Sequence, residues 1–154
     1  MWIDMKKLVL GVKRLSYGLV IMFILSGTAN AQRLSVSVNS ANVRIGPGTT
    51  YDIAWENLDK NYPLLVLDQK DGWYYIRDYE DDVGWIHEST VSAQDSVITK
   101  KDNCNVRSGP GTGTPVVFVV NNGVPFKVLK REGQWINIQH SDGDSGWVHE
   151  ALVW

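Results

Sequence analysis

One cysteine, Cys104, is all that the 154 residues carry, so no internal disulfide can form. Stability therefore has to come from packing, even in an oxidising compartment. No segment beyond the first thirty or so residues shows a helical period, which leaves an all-β reading. Basic tracts are absent as well. From Gln32 to Trp154 there are 11 Lys and Arg against 16 Asp and Glu, a net charge of −5. That balance argues against nucleic acid and anionic lipid as partners. The one apolar run, Leu15 to Leu25, is shorter than the roughly 20 residues that a membrane-spanning helix needs.

That run has a purpose of its own. Lys6, Lys7, Lys13 and Arg14 precede it, and Ala29-Asn30-Ala31 follows as a small-x-small cleavage signal. This is the layout of a signal peptide over residues 1–31, with an uncleaved anchor as the alternative. Met5 makes a more natural start than Met1, because Asp4 is unusual in a positive leader. The exported chain, periplasmic or extracellular, is expected to have no membrane attachment after cleavage.

Seven tryptophans and six tyrosines are many for this length, and they fall into a repeat. Asn42-Val43-Arg44-x-Gly46-Pro47-Gly48-Thr49 returns as Asn105-Val106-Arg107-x-Gly109-Pro110-Gly111-Thr112. Trp73-Tyr74-Tyr75-Ile76 returns as Trp135-Ile136-Asn137-Ile138, and Gly84-Trp85-Ile86-His87-Glu88 as Gly146-Trp147-Val148-His149-Glu150. Three blocks in the same order mean a duplication, with units at 32–93 and 94–154. Within each unit the Gly-Pro-Gly turn, the Pro63 and Pro125 strand starts, and the Asp71-Gly72 and Glu132-Gly133 turns predict short antiparallel strands. The motifs "NVRSGPG", "W-x-x-I" and "GWVHE" closely resemble the bacterial SH3-like (SH3b) domain, in both units. The resemblance implies two tandem small SH3-like β-barrels. It also implies binding of cell-wall peptides or targeting of wall hydrolases, as in several domains of that family.

Strand alternation sorts the aromatics. Tyr74, Ile76, Ile86 and Val148 are apolar in both copies and should face the cores. Trp73, Tyr75, Trp85 and His87 then share the other face, as do Trp135, Trp147 and His149 in the second unit. Pairing around the Asp78 to Asp82 loop sets His87 opposite Trp73 and Trp85 opposite Tyr75. Such a face either caps the barrel or forms an aromatic groove for an extended peptide or glycan, with Tyr51, Trp55 and Phe118, in the loop after the Gly-Pro-Gly turn, as a second wall. Arg44 and Arg107 are expected to orient their turns or to pair with a nearby carboxylate.

Catalysis is not expected. Cys104 with His149 and Glu150 is the one cysteine–histidine set, but Cys104 aligns with Ala41 at a core position, which suits an inert thiol. Neither a metal nor another cofactor is expected. The acidic Asp78 to Asp82 loop lacks the full Ca²⁺ pattern, and His87 and His149 lie in different units. The expected function is an exported, non-catalytic tandem module that binds peptidoglycan or an extended peptide. The alternative is a protein-interaction or scaffolding adaptor in the envelope. The first unit carries 5 basic and 10 acidic residues against 6 of each in the second, so the two can have separate partners.

Overall fold

A computed structural model describes residues 31–154, so the expected signal peptide lies outside the described residues. The first unit comprises β1 (Arg33–Val36), β2 (Ser40–Arg44), β3 (Ile53–Asp59), β4 (Pro63–Lys70), β5 (Trp73–Arg77), β6 (Val83–His87) and β7 (Val91–Ser92). A 3₁₀ turn, Glu88–Thr90, joins the last two strands. The second unit comprises β8 (Ser96–Ile98), β9 (Cys104–Arg107), β10 (Val116–Val120), β11 (Pro125–Glu132), β12 (Trp135–Gln139) and β13 (Ser145–His149), then a 3₁₀ turn at Glu150–Leu152.

Each unit makes its own antiparallel sheet, in the order β3-β2-β6-β5-β4-β1-β7 and β10-β9-β13-β12-β11-β8. The bridge Thr99–Val153 stands where β1 meets β7 in the first unit. Each sheet wraps its own core, as expected of tandem SH3-like barrels. Val36, Val43, Leu64, Ile76 and Ile86 fill the first, and Val106, Phe126, Ile136, Ile138 and Val148 the second.

Local chemistry explains the strand ends. Pro63 and Pro125 open their strands, where a missing N–H is tolerated. Asp71 and Gly72 both have positive φ (50° and 81°), the pattern of a tight turn that matches strand twist. The second hairpin differs from expectation by one residue. Glu132 pairs with Trp135 as the end of β11, so the turn is Gly133-Gln134, with Gly133 at φ 57°. The units also touch: the Arg33 guanidinium lies 4.2 Å from the Trp154 ring centroid, and Ser35 Oγ donates to the Gln94 carbonyl.

Candidate functional site

The repeated Asn-Val-Arg phrase puts one residue into the core and two onto the outer face. Val43 and Val106 are fully buried, while Asn42, Arg44, Asn105 and Arg107 point the other way. Each arginine then reaches across its Gly-Pro-Gly turn. Arg44 Nη1 donates to the Tyr51 carbonyl at 2.7 Å, and Arg107 Nη1 to the Thr114 carbonyl at 2.7 Å. The expected turn-orienting role is therefore what the geometry shows.

The hairpin register of the aromatic strands also matches the expectation. Trp73 pairs with His87 and Tyr75 with Trp85; Trp135 pairs with His149 and Asn137 with Trp147. Trp73 and His87 meet edge to face at 5.0 Å between centroids, and Trp135 and His149 at 5.3 Å. Each histidine caps the 3₁₀ turn behind it. His87 Nδ1 accepts from the Ser89 N–H (3.3 Å), and His149 Nδ1 from the Ala151 N–H (3.2 Å). A ring accepting at Nδ1 carries its neutral-state proton on Nε2, which leaves Nε2–H as the donor for other partners.

These pieces enclose one groove per unit. The first, about 500 Å³, is lined by Asn42, Arg44, Thr49, Trp73, His87 and Thr90, with Glu56 and Asn57 from β3. The second, about 250 Å³, is lined by Asn105, Arg107, Thr112, Trp135, His149 and Leu152. Asn, Arg, Thr, Trp and His recur at matching positions. Of these recurring residues Trp73, at 8% exposure, is buried; it forms a wall whose polar neighbours fix direction.

Not every expected residue reaches this groove. Tyr75 and Trp85 stack in the neighbouring row of the same face, 5.1 Å apart. Trp147 sits in the matching row of the second unit, where Lys130 Nζ lies 5.0 Å from its ring centroid. Tyr51 is 46% exposed and covers its own turn, since a Cβ on Gly46 would lie 2.4 Å from the Tyr51 ring. Trp55 and Phe118 do not form a second wall. They pair with the core residues Val43 and Val106, so they share the core face and pack against it. The expected loop is instead strand, β3 and β10, whose pairing turns both rings to the core side. Sequence reasoning missed Asn42, Asn105, Thr49, Thr112, Glu56, Asn57, Thr90 and Leu152 as groove residues, and gave Arg44 and Arg107 a turn role alone. The signal for the first four was their recurrence in both copies.

Two other constellations resolve differently. Cys104 is 1% exposed on the core face of β9, whereas His149 lies on the outer face, so the sheet separates them. Burial raises the Cys104 thiol pKa, which disfavours the thiolate. In the acidic loop, Asp78, Glu80 and Asp82 converge to within 4.8 Å. Asp78 Oδ1 accepts the backbone N–H groups of Glu80 and Asp82 (2.9 and 3.0 Å), and Oδ2 accepts the Tyr62 hydroxyl (3.0 Å). That carboxylate organises its own loop.

Comparison with known proteins places the fold. Residues 37–93 and 100–154 each match the bacterial SH3 domain family. A Bacillus subtilis protein named as an N-acetylmuramoyl-L-alanine amidase, YrvJ, is 37% identical over 65 residues, 42% of this chain and 12% of that protein. A Staphylococcus epidermidis protein named as a cell wall amidase, LytH, is 38% identical over 52 residues, 33% of this chain and 18% of that one. The chain thus matches less than a fifth of these relatives. Among solved structures, NlpC1 from Trichomonas vaginalis aligns over 80% of this chain and 45% of its own, with 14% identity and a TM-score of 0.36. With two matched units covering most of its length, the chain belongs to the bacterial SH3 domain family.

Proposed function

We propose that the protein is an exported, non-catalytic tandem module that binds the cell wall, each groove holding a segment of peptidoglycan peptide or glycan. The observation that supports this most is the recurrence of the Asn–Arg–Thr–Trp–His lining in both units. The arginines and histidines also hold their own turns, but core packing needs none of the set, because the cores are built from other residues on the opposite face. Two grooves on one chain suit a polymer of repeated units, since the second contact is made at high effective concentration. The likeness to segments of proteins named as cell wall amidases supports the same class of ligand.

The grooves are not copies in every respect. Between Trp55 and Leu58 the first unit has Glu56 and Asn57, where the second has Val119 alone between Phe118 and Val120; the first groove is more polar and twice as large. A second reading, an adaptor for a protein partner, draws on the edge strand β10, where Val116, Val117 and Val119 are all exposed. The test is sedimentation of the protein with purified sacculi, beside the variant Asn42→Ala/His87→Ala/Asn105→Ala/His149→Ala. Retention should fall at least about tenfold in the variant, roughly one net hydrogen bond per groove. Wild-type protein left wholly in the supernatant would sink the reading and favour the adaptor.

A further inference from the structure

The two units differ beside the β5–β6 and β12–β13 loops, and the difference leaves an opening in one of them. Matching backbone bonds set the correspondence. Val36 N–H donates to the Tyr62 carbonyl as Thr99 N–H does to that of Val124. Asp78 N–H donates to the Asp82 carbonyl as His140 N–H does to that of Asp144. Val124 therefore stands in the place of Tyr62, and His140 in the place of Asp78.

In the first unit the Tyr62 ring fills its site. It packs on the core, meets Tyr79 edge to face at 6.0 Å and donates its hydroxyl to Asp78. In the second unit, valine is too short to do so, and serine replaces Tyr79. A cavity of about 180 Å³ opens there, with Phe118, Val120, Val124 and Phe126 as its apolar lining. An apolar cavity of about 150 Å³ is enough to take up benzene in another protein, so one aromatic ring fits.

The mouth has a sign. His140, Asp142 and Asp144 line it, two carboxylates against one imidazole. Asp142 Oδ1 lies 2.8 Å from His140 Nδ1. The Asp144 carboxylate has no hydrogen bond or ion pair among the described residues. The His140 ring stands edge-on to Phe126 at 5.6 Å, which ties the polar mouth to the apolar floor.

We propose that this cavity is a second ligand site, distinct from the grooves. It takes a single aromatic ring that bears a short cationic arm, with the ring in the place left by the missing tyrosine and the ammonium at Asp142 and Asp144. That chemistry occurs in a free arylalkylamine and in an aromatic residue at a peptide N-terminus.

The test is amide-shift mapping by NMR on the protein, titrated with tyramine to about 10 mM, well above a millimolar Kd. The amides of Phe118, Val124 and His140 should move together. Val124→Tyr/His140→Asp rebuilds the arrangement of the first unit and should abolish the response, as should Val124→Phe, which fills the space alone. Absence of shifts in the wild type would overturn the proposal, and so would an undiminished response in a folded filled variant. N-acetyltyramine should bind about 2- to 5-fold more weakly, the range for exposed ion pairs; equal binding would remove the acidic mouth from the site. The tripeptide Tyr-Gly-Gly then separates the sources: shifts at the same amides assign a peptide N-terminus, and shifts with tyramine alone a free amine.

Discussion

Replacing Gly84 by alanine tests how the groove is held together. Gly84 lies at the seam where β2 meets β6, joined in register by the one pair Arg44–Trp85. A Cβ there would lie 2.4 Å from Val43 Cγ1, 3.0 Å from the Arg44 carbonyl oxygen and 3.3 Å from Trp55 Cη2. Val43 is fully buried and the carbonyl belongs to the backbone, so β2 itself has to shift. Gly84 is not in the left-handed region, so the steric clash is the effect being measured. Overpacking of this kind costs about 1–3 kcal/mol. The alanine recovers about 0.5 kcal/mol by narrowing the unfolded ensemble. The net loss of about 1.5 kcal/mol should lower the melting temperature of the first unit by about 6–12 °C, judged for a unit of that size. Calorimetry and urea titration followed by tryptophan fluorescence measure it. Val43→Ala removes the closest contact, so the double variant should fall short of additivity by at least about 0.5 kcal/mol. A neutral Gly84→Ala, or strict additivity, would refute the reasoning. Gly146→Ala should behave alike, with contacts of 2.6, 2.9 and 3.2 Å.

Other outcomes follow from single groups. Burial first, then the adjacent Asp78, push the Tyr62 hydroxyl well above its usual pKa of 10.0. The unfolded chain loses that proton first, so this contribution is whole below pH 10.0 and declines above it. The decline is at most about 1.4 kcal/mol per pH unit, and denaturant titrations of Tyr62→Phe should show a flatter alkaline slope. Arg44→Ala and Arg107→Ala should each cost about 1–2 kcal/mol by freeing the turn carbonyls, with faster amide exchange across residues 45–52 and 108–115. Cys104 should resist an aromatic disulfide reagent in the folded protein and react fully in denaturant; rapid native reaction would contradict its burial.

Legibility varied with the kind of signal. The pairing of Trp73 with His87 and of Trp135 with His149 was readable because short hairpins fix register from the turn inward. Even so, the second turn moved by one residue, since Gly133 rather than Glu132 takes the positive φ. Tyr51, Trp55 and Phe118 were misplaced as a second wall because the stretch after each Gly-Pro-Gly turn reads as loop, whereas Trp55 and Phe118 lie in β3 and β10.

The sequence by itself determined the duplication, the all-β class and the inward and outward faces of the central strands, because those depend on local period and turn chemistry. Only the tertiary structure decided which outward residues share a groove. Asn42, Thr49, Trp73 and His87 come from a strand, a turn and two further strands, and only the folding of one sheet around its core brings them together. It also decided that Val124 leaves open the space that Tyr62 fills, since a substitution becomes a cavity only when its neighbours are held in place.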